Sequence, residues 1–255
     1  MARSDSSRPA RRTRLDALLV ERGLAPTRSK AQALILAGEV RVSGQPADKA
    51  GTLVPADAEV SLVGRAALKY VSRGGLKLEG ALEDLRVPVA GRVALDVGAS
   101  TGGFTDCLLQ AGARRVYAVD VGRAQLAWRL RTDPRVVALE GRHINRLPPD
   151  AVPEPIDLAT VDVSFISLEK VLPAVRAFLR PGGDLLALVK PQFEVGPGAV
   201  GKGGVVRDPA LRRAAVDAVA RAARAAGFEV VGEAESRLPG PRGNREVFLH
   251  LRRAD

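Results

Sequence analysis

Cysteine, histidine and aromatic residues are scarce in this sequence. Its 255 residues include one cysteine, Cys107, and two histidines, and aromatic residues make up 4%. A single thiol cannot form an internal disulfide, and no cluster of Cys and His has the spacing of zinc or iron ligands. The length and this shortage exclude a small disulfide-bonded scaffold, and no metal requirement is expected.

Long apolar runs are absent as well. No segment approaches the roughly 20 continuous apolar residues that cross a bilayer, and the charges near the N-terminus are not followed by an apolar signal core. With 46% hydrophobic and 27% charged residues, the composition is typical of a folded globular chain. We therefore expect a soluble, cytoplasmic protein that does not bind membranes. We also expect it to be a monomer.

Basic residues exceed acidic ones, 39 to 29, which gives a formal net charge of +10. The first 80 residues carry 14 basic and 8 acidic side chains and so hold more than half of the excess. Basic surfaces bind polyanions because their cations displace condensed counterions from phosphates. The distribution favours a nucleic acid partner, and the alternative is an Arg-rich composition without such a partner.

The first third of the chain predicts a small module of two helices and short strands. A leucine repeat over 15–19 predicts one helix, and Thr27 or Ser29 can cap a second helix that ends at Gly38. Short apolar runs separated by turns follow and predict strands. The predicted organisation is a flexible basic arm over 1–13, this module over 14–63, a linker over 64–74 and a second domain over 75–255.

The module resembles the S4-type RNA-binding domain, a small α+β fold. The matching stretches are Arg14-Leu15-Asp16, Gly23-Leu24, Thr27-Arg28-Ser29-Lys30-Ala31, Leu34-Ile35, Gly38-Glu39-Val40-Arg41-Val42 and Gly44. In that family the second helix and the following turn present basic side chains to folded RNA. The RNA-binding residues that we expect here are Arg14, Arg28, Lys30, Arg41 and, from the linker, Arg73. The alternative is a solvated helix face with scattered cations.

The second domain alternates short apolar runs with amphipathic stretches. Strands are predicted at 92–97, 115–120, 136–139, 158–163, 184–189, 229–233 and 246–251. Helices are predicted at 103–111, 124–130, 168–179 and 211–226, and leucines between 76 and 85 predict one more before the first strand. Such alternation is typical of a mostly parallel sheet covered on both faces, which is a doubly wound α/β, or Rossmann-like, fold.

The loop after the first of these strands is rich in glycine. A dinucleotide fingerprint would read G-x-G-x-x-G, whereas these glycines run G-x-x-x-G-G with an acid two positions before the first. The loop resembles the S-adenosylmethionine loop of Rossmann-like methyltransferases, in which the acid engages the amino group of the cofactor. Its expected cofactor-binding residues are Asp96, Gly98, Ala99, Ser100, Thr101, Gly102, Gly103 and Phe104.

Later strand ends add further candidates for the same cofactor. Asp120 follows Asp96 by 24 residues, at the end of the second strand, where a carboxylate can accept hydrogen bonds from ribose hydroxyls. Val121 lies beside Asp120, and His143, after the third strand, would border the adenine, with an ordinary loop residue as the alternative. Asp162, after the fourth strand, would complete the cofactor site.

Four ionisable residues match a known catalytic set in order and in motif context. Lys77, Asp162, Lys190 and Glu246 resemble the Lys-Asp-Lys-Glu tetrad of ribose 2′-O-methyltransferases of the FtsJ/RrmJ type. With the S4-type module in front, the whole chain resembles the TlyA family, often labelled haemolysin A. The resemblance implies S-adenosylmethionine-dependent methylation of the 2′-hydroxyl of a cytidine in ribosomal RNA.

The tetrad residues can be given separate roles. A ribose hydroxyl is a poor nucleophile near neutral pH, so its proton must be drawn away or its developing charge stabilised. We assign this role to Lys190, because a lysine crowded by Lys77 loses its proton more easily. Asp162 would orient Lys190, and Lys77 with Glu246 would place the ribose. The alternative is a pair of structural ion pairs at strand ends.

In the family that the chain resembles, members that modify both ribosomal subunits carry a C-terminal extension. Nine residues follow Glu246 in this sequence, which lacks that extension. The resemblance therefore favours RNA of the large subunit over RNA of the small subunit as the substrate. An inactive ribosome-binding or assembly protein and a membrane-active hemolysin are the main alternatives. A pseudouridine synthase would not need the glycine loop, and an oxidoreductase would require NAD binding.

Two further segments are open to interpretation. The glycine-rich stretch 196–204 is either a lid over RNA and cofactor or an ordinary mobile loop. Phe104 and Trp128 could stack on a base, and packing in the core is the favoured interpretation of Trp128.

Overall fold

A computed structural model of the chain describes residues 12–22, 24–25, 27–36, 38–62, 69–201, 203–240 and 243–255. The chain divides into two compact units, Met1–Leu68 and Lys69–Asp255. The division falls within the segment 64–74 that the sequence assigns to a linker. Several parts of the predicted organisation lie outside the described residues. They are most of the arm, Gly23 and Val63 of the S4-like stretch, residues 64–68 of the linker and Lys202 of the glycine-rich stretch.

The described residues of the first unit form two helices and five short strands. The helices are α1, Leu15–Glu21, and α2, Arg28–Leu36, and the strands are β1, Arg12–Arg14, β2, Val40–Val42, β3, Gln45–Pro46, β4, Leu53–Pro55, and β5, Val60–Leu62. Thr27 precedes α2, and its Oγ1 accepts the Lys30 amide at 3.3 Å; the helix ends before Gly38, which has a φ of +70°. Leu15, Leu19 and Ile35 are fully buried between these elements.

The β1 strand is a feature that the sequence missed. Arg12 and Thr13, which the sequence assigns to a flexible arm, pair in antiparallel fashion with Pro55 and Val54 of β4. Three residues without an alternating apolar pattern give no strand signal, because the pairing depends on a partner about 40 residues away. The remaining strands form a second sheet in the order β3-β2-β5.

The second unit is built on a seven-stranded sheet. Its strands are β6, Val93–Val97, β7, Arg115–Asp120, β8, Val136–Glu140, β9, Ile156–Val161, β10, Leu179–Val189, β11, Phe228–Glu235, and β12, Val247–Arg253. The order is β11-β12-β10-β9-β6-β7-β8. The five strands from β10 to β8 are parallel, and β12 is antiparallel to both of its neighbours. The predicted doubly wound α/β fold is therefore confirmed.

Apolar side chains of this sheet point alternately to its two faces. Leu95, Ala187 and Leu249 belong to one buried cluster, and their chain neighbours Ala94 and Leu186 belong to another. The helices that cover the sheet are α3, Arg73–Asp84, α4, Gly103–Gln110, α5, Trp128–Arg131, α6, Leu172–Phe178, α7, Pro191–Glu194, and α8, Pro209–Ala225. No helix among the described residues is both long and apolar enough to cross a bilayer.

The prediction of a helix over 124–130 is wrong. Only Trp128–Arg131 is helical, because tertiary hydrogen bonds hold the preceding segment away from helical geometry. The amide of Ala127 donates to Thr101 at 3.1 Å, and the amide of Gln125 donates to the Glu140 carboxylate at 2.7 Å. Trp128 is 76% exposed, so packing in the core was also the wrong interpretation of this residue.

The helix predicted over 168–179 is divided. A 3-10 turn, Leu168–Lys170, precedes α6. Pro173 lacks the N–H that a continuous helix would donate to Glu169, which favours the break at this point.

A buried carboxylate joins three segments of the second unit. Asp184 of β10 accepts hydrogen bonds from Arg92 at 2.7 Å and from Arg252 at 2.9 Å, and it lies 2.9 Å from Nε2 of His250. Burial alone would raise the pKa of Asp184, but the hydrogen bonds from His250, Arg92 and Arg252 hold it well below its usual range. Asp184 is thus ionised in the folded state and fixes β10 against β12.

We expect Asp184→Ala to lower the free energy of unfolding at pH 7 by about 3 kcal/mol, because it leaves Arg92, Arg252 and His250 without their carboxylate partner. Because folding lowers the pKa of Asp184, its contribution is complete above about pH 5 and shrinks as the pH falls below about 4. Urea unfolding of wild type and variant at several pH values measures both effects. The control is Asp217→Ala, which removes an exposed partner of Arg213 and should change little. A stability difference independent of pH would contradict this account.

Candidate active site

The carboxyl ends of parallel strands β6, β9 and β10 border a cavity of about 340 Å³. Ligands of doubly wound sheets bind at this edge, because the loops there leave the sheet on both faces. The cavity is lined by all four tetrad residues, Lys77, Asp162, Lys190 and Glu246, and by Gly98, Ala99, Ser100, Thr101, Gly103 and Phe104 of the glycine-rich loop.

The first ion pair of the cavity joins α3 to the residue before β12. Lys77 Nζ lies 2.6 Å from Glu246 Oε2, and the side chains are 10% and 0% exposed. Oε1 of Glu246 has no hydrogen-bond partner among the described residues. A Cβ atom at Gly240 would collide with this carboxylate, so glycine is required there. A buried pair of this kind leaves one carboxylate oxygen for a further donor.

The second ion pair joins the ends of β9 and β10. Lys190 Nζ lies 2.6 Å from Asp162 Oδ1 and donates a hydrogen bond to Ser164 Oγ at 3.0 Å. The Lys190 and Asp162 side chains are 11% and 24% exposed. The two lysines of the tetrad therefore have separate carboxylate partners, and Lys190 is fixed from two sides.

Gly98 allows the glycine-rich loop to approach β9 closely. Its φ is +87°, and a Cβ atom would collide with the backbone carbonyl of Asp162. The amide of Asp162 also donates to Val97 at 2.9 Å. The requirement for glycine thus comes from the contact between two loops of the site.

Asp96, expected to engage the cofactor's amino group, is fully buried and lines neither cavity of the site. Its carboxylate accepts hydrogen bonds from the hydroxyls of Thr105 at 2.7 Å and Thr160 at 3.0 Å. Burial raises the pKa of Asp96 to about 6, against the opposing effect of the two threonines. In this structure its side chain ties α4 to β9 behind the glycine-rich loop.

A larger cavity of about 1150 Å³ shares Gly98, Ser100 and Asp162 with the first. Asp120 lines it, and the Asp120 carboxylate accepts the amides of Ser100 at 2.8 Å and Gly122 at 2.7 Å. Each oxygen keeps a further lone pair for a ligand.

Two other predicted cofactor residues also line the larger cavity. Val121 is 68% exposed there. His143 caps a short turn, because its Nδ1 accepts the Asn145 amide at 3.2 Å.

Two further residues of the glycine-rich loop lie at the start of α4. Gly102 has a φ of +96° and precedes this helix. Phe104 is buried, and its ring centroid lies 6.0 Å from that of Phe248.

The glycine-rich stretch 196–204 is described except for Lys202. Pro197–Ala199 forms a 3-10 turn, Gly201 pairs with Val205, and Val200 lines the larger cavity. Its role as a lid stays a prediction.

Several residues of the site were not assigned from the sequence. Ser164 contacts Lys190, and Ser72 caps α3 by accepting the Gly74 amide at 3.3 Å and lines the smaller cavity. Their signals were present: a serine two residues after Asp162, and a serine before a helix that begins with Arg-Gly-Gly. Gln192 and Phe193, next to Lys190, line the larger cavity.

The predicted RNA-binding residues differ in their partners. Arg14 makes two hydrogen bonds to the buried Asp16, at 2.9 and 3.0 Å, and Arg28 lies 3.3 Å from the same carboxylate. Hydrogen bonds from Arg14, Gln32 and Arg28 hold the pKa of Asp16 well below its usual range. These two arginines therefore stabilise the first unit and expose only part of their guanidinium groups.

The other three basic residues are less constrained. Lys30 is exposed and has no ion pair with a described residue, and Arg41 donates to the carbonyl of Gly44 at 2.9 Å. Arg73 belongs to the second unit, where it begins α3 and lines the smaller cavity. No group of three or more Cys, His, Asp or Glu side chains in the described ranges could hold a metal ion.

Comparisons with known proteins identify a family for each of the two units. The model of the FtsJ-like methyltransferase family matches residues 70–253, and the model of the S4 domain matches residues 13–60. The 16S/23S rRNA (cytidine-2'-O)-methyltransferase TlyA of Mycobacterium tuberculosis is 54% identical over 243 residues, which cover 95% of this chain and 91% of that protein. Hemolysin A of Brachyspira hyodysenteriae is 40% identical, with coverages of 93% and 99%.

A solved structure from Streptococcus thermophilus, provisionally called a hemolysin, is 42% identical with a TM-score of 0.76. The alignment covers 96% of this chain and 90% of that one. These matches confirm the resemblance that the motifs of both units indicated. The chain therefore belongs to the TlyA family of ribosomal RNA 2′-O-methyltransferases, in which an S4 domain precedes an FtsJ-like methyltransferase domain.

Proposed function

We propose that this chain transfers the methyl group of S-adenosylmethionine to the 2′-hydroxyl of a cytidine in ribosomal RNA of the large subunit, in the cytoplasm. The observation that carries this proposal is the cavity in which Lys77, Asp162, Lys190 and Glu246 form two ion pairs beside the glycine-rich loop. Membership of the TlyA family supports the same reaction.

The residues of the two joined cavities fit the proposed cofactor. Gly98 leaves room that a Cβ atom would fill, and the backbone of Gly98–Thr101 lines the smaller cavity. Asp120 presents a carboxylate that suits ribose hydroxyls, and Val121 and His143 offer apolar and ring surface in the larger cavity. When bound, S-adenosylmethionine supplies an electrophilic methyl group on a sulfonium.

Lys190 is the residue to which we assign the proton of the attacking hydroxyl. The 2′-oxygen must lose this proton as its bond to the methyl carbon forms. As a neutral amine Lys190 would accept this proton, and as an ammonium group it would stabilise the charge that develops on oxygen. Asp162 and Ser164 fix its Nζ from two sides. Lys77 and Glu246 would place the ribose, for which Glu246 keeps one oxygen that no described residue partners.

Positioning accounts for much of the proposed acceleration. Transfer between two bound substrates becomes fast when the reacting atoms are held in line at short distance. Both ion pairs connect separate elements of the sheet edge, so the sheet itself sets the spacing of the four groups.

The first unit would bind the RNA through Arg14, Arg28, Lys30 and Arg41, and Arg73 would contact it from the second unit.

Small-subunit RNA is the second candidate substrate. The Mycobacterium tuberculosis relative, 54% identical, is named for both 16S and 23S rRNA. Both subunits are therefore tested as substrates, and the labelled subunit decides between one target and two.

Methyl transfer from labelled S-adenosylmethionine to purified 30S and 50S subunits and to naked RNA tests the proposal. We expect label on 50S subunits from the wild type and a loss of about 10²-fold or more in Lys190→Ala, whose cofactor binding should persist. Arg213→Ala, which changes an exposed cation of α8, serves as a control and should retain activity.

A fully active Lys190→Ala variant would refute the assignment of Lys190. No label on any substrate, with cofactor still bound, would favour a different RNA or an inactive ribosome-binding protein.

We expect Arg28→Ala combined with Lys30→Ala to weaken RNA binding and to flatten its salt dependence by up to about one slope unit per lost phosphate contact. Asp16 keeps Arg14 and Gln32 as partners, so the first unit should remain folded. Binding titrations at several salt concentrations provide the measurement, with Lys30→Ala alone to separate the two residues. Unchanged affinity and slope would place the RNA contact elsewhere.

A further inference from the structure

A short loop and a short helix face each other beside Lys190. The loop, residues 163–167, follows β9, and α7 follows β10. Because β9 and β10 are parallel neighbours, the two segments leave the sheet at the same edge. Three side-chain contacts join them: Ser164 with Lys190, Phe165 with Phe193, and Ser167 with Glu194.

Glu194 makes two hydrogen bonds at the far end of this loop. Its Oε2 accepts the Ser167 hydroxyl at 2.7 Å, and its Oε1 accepts the Leu168 amide at 3.0 Å. Ser167 Oγ in turn accepts the Glu169 amide at 3.3 Å and so caps the 3-10 turn. Hydrogen bonds to an ionised acceptor are stronger than neutral ones. The Glu194 carboxylate thus fixes the loop where the next element begins.

The middle of the loop has an unfavourable backbone conformation. Phe165 has a φ of +64°, which bulky L-residues rarely adopt, and it is 90% exposed. Its ring centroid lies 5.0 Å from that of Phe193. Because such a conformation persists only where surrounding contacts determine it, the loop depends on its attachments at both ends.

The near end of the loop reaches the lysine to which we assign the proton. Ser164 Oγ accepts a hydrogen bond from Lys190 at 3.0 Å, and Asp162 lies 2.6 Å from the same ammonium group. If the far end were released, Phe165 could relax and Ser164 would move away. Lys190 would then keep one partner, Asp162, and its direction would no longer be fixed.

We propose that Glu194 is a positioning residue for methyl transfer, which holds loop 163–167 against α7 so that Ser164 and Asp162 together fix Lys190. The inference rests on the proposed function of Lys190. Glu194 lines neither cavity of the site, so it would act through the loop.

Comparison of Glu194→Ala with Glu194→Gln tests this role. Alanine removes both hydrogen bonds, whereas glutamine can accept the Leu168 amide and donate to Ser167. We expect kcat at saturating S-adenosylmethionine to fall about tenfold or more in Glu194→Ala, while KM for the RNA stays within about twofold. Glu194→Gln should recover most of kcat. The matched control is Glu169→Ala, an exposed carboxylate of the adjacent turn, which should leave kcat unchanged.

Hydrogen exchange of the full chain without RNA or cofactor gives a second readout that needs no activity. The amide of Leu168 donates a hydrogen bond to Glu194, which should slow its exchange in the wild type. We expect faster exchange over 163–168 in Glu194→Ala, near wild-type exchange in Glu194→Gln, and unchanged exchange in α8. Altered exchange in α8 would show wider unfolding, and Ser167→Ala, which removes one of the two hydrogen bonds, would then replace Glu194→Ala in both measurements.

Wild-type kcat in Glu194→Ala overturns the proposal, as does an equal loss in Glu194→Gln. Recovery of wild-type kcat at saturating S-adenosylmethionine also overturns it, because the effect would then concern cofactor binding and would not act through Lys190. Absence of methyl transfer by the wild type on every RNA would instead refute the proposed function.

Discussion

The candidate site depends on pairing two lysines with two carboxylates in one small cavity. Lys77 with Glu246 and Lys190 with Asp162 are each separated by 2.6 Å, and all four side chains are at least three-quarters buried. A buried charge without a partner carries a large desolvation penalty, so removing one member of a pair leaves the other member unpaired and destabilised. Each ion pair also joins elements that are far apart in sequence. The charged side chains thereby stabilise the edge of the sheet at which the candidate site lies.

The sheet order explains why these residues meet. β10, β9 and β6 are adjacent and parallel, so the residues that follow them leave at one edge. The antiparallel β12 runs in the opposite direction, and Glu246 precedes it, which brings this carboxylate to the same edge. Gly98 and Gly240 are required because the approach is close: a side chain at either position would displace Asp162 or Glu246.

The sequence predicted the sheet and its edge because both depend on local patterns. Buried parallel strands are apolar runs, and a polar residue after each run marks the carboxyl end. Contacts between distant segments could not be predicted in this way. The hydrogen bond from Ala127 to Thr101 prevents most of the helix predicted over 124–130. Pairing with β4 makes Arg12 part of a strand, although the sequence assigns it to a flexible arm. The Asp96 carboxylate accepts hydrogen bonds from two threonine hydroxyls. The role of Glu194 had no sequence signal, since it depends on a loop 27 residues earlier.

The charge balance of the cavity connects its structure to the proposed chemistry. With both pairs ionised, the two lysines and two carboxylates sum to zero formal charge, so a sulfonium cation meets no net repulsion from them. In the proposed methyl transfer, the 2′-hydroxyl would lose its proton as its oxygen bonds to the methyl carbon. That proton needs a polar path beside Lys190, where Asp162 and Ser164 already hold the ammonium group. A neutral replacement of Lys190 would leave Asp162 uncompensated, so the same substitution would remove the group to which we assign the proton and would make the cavity negative.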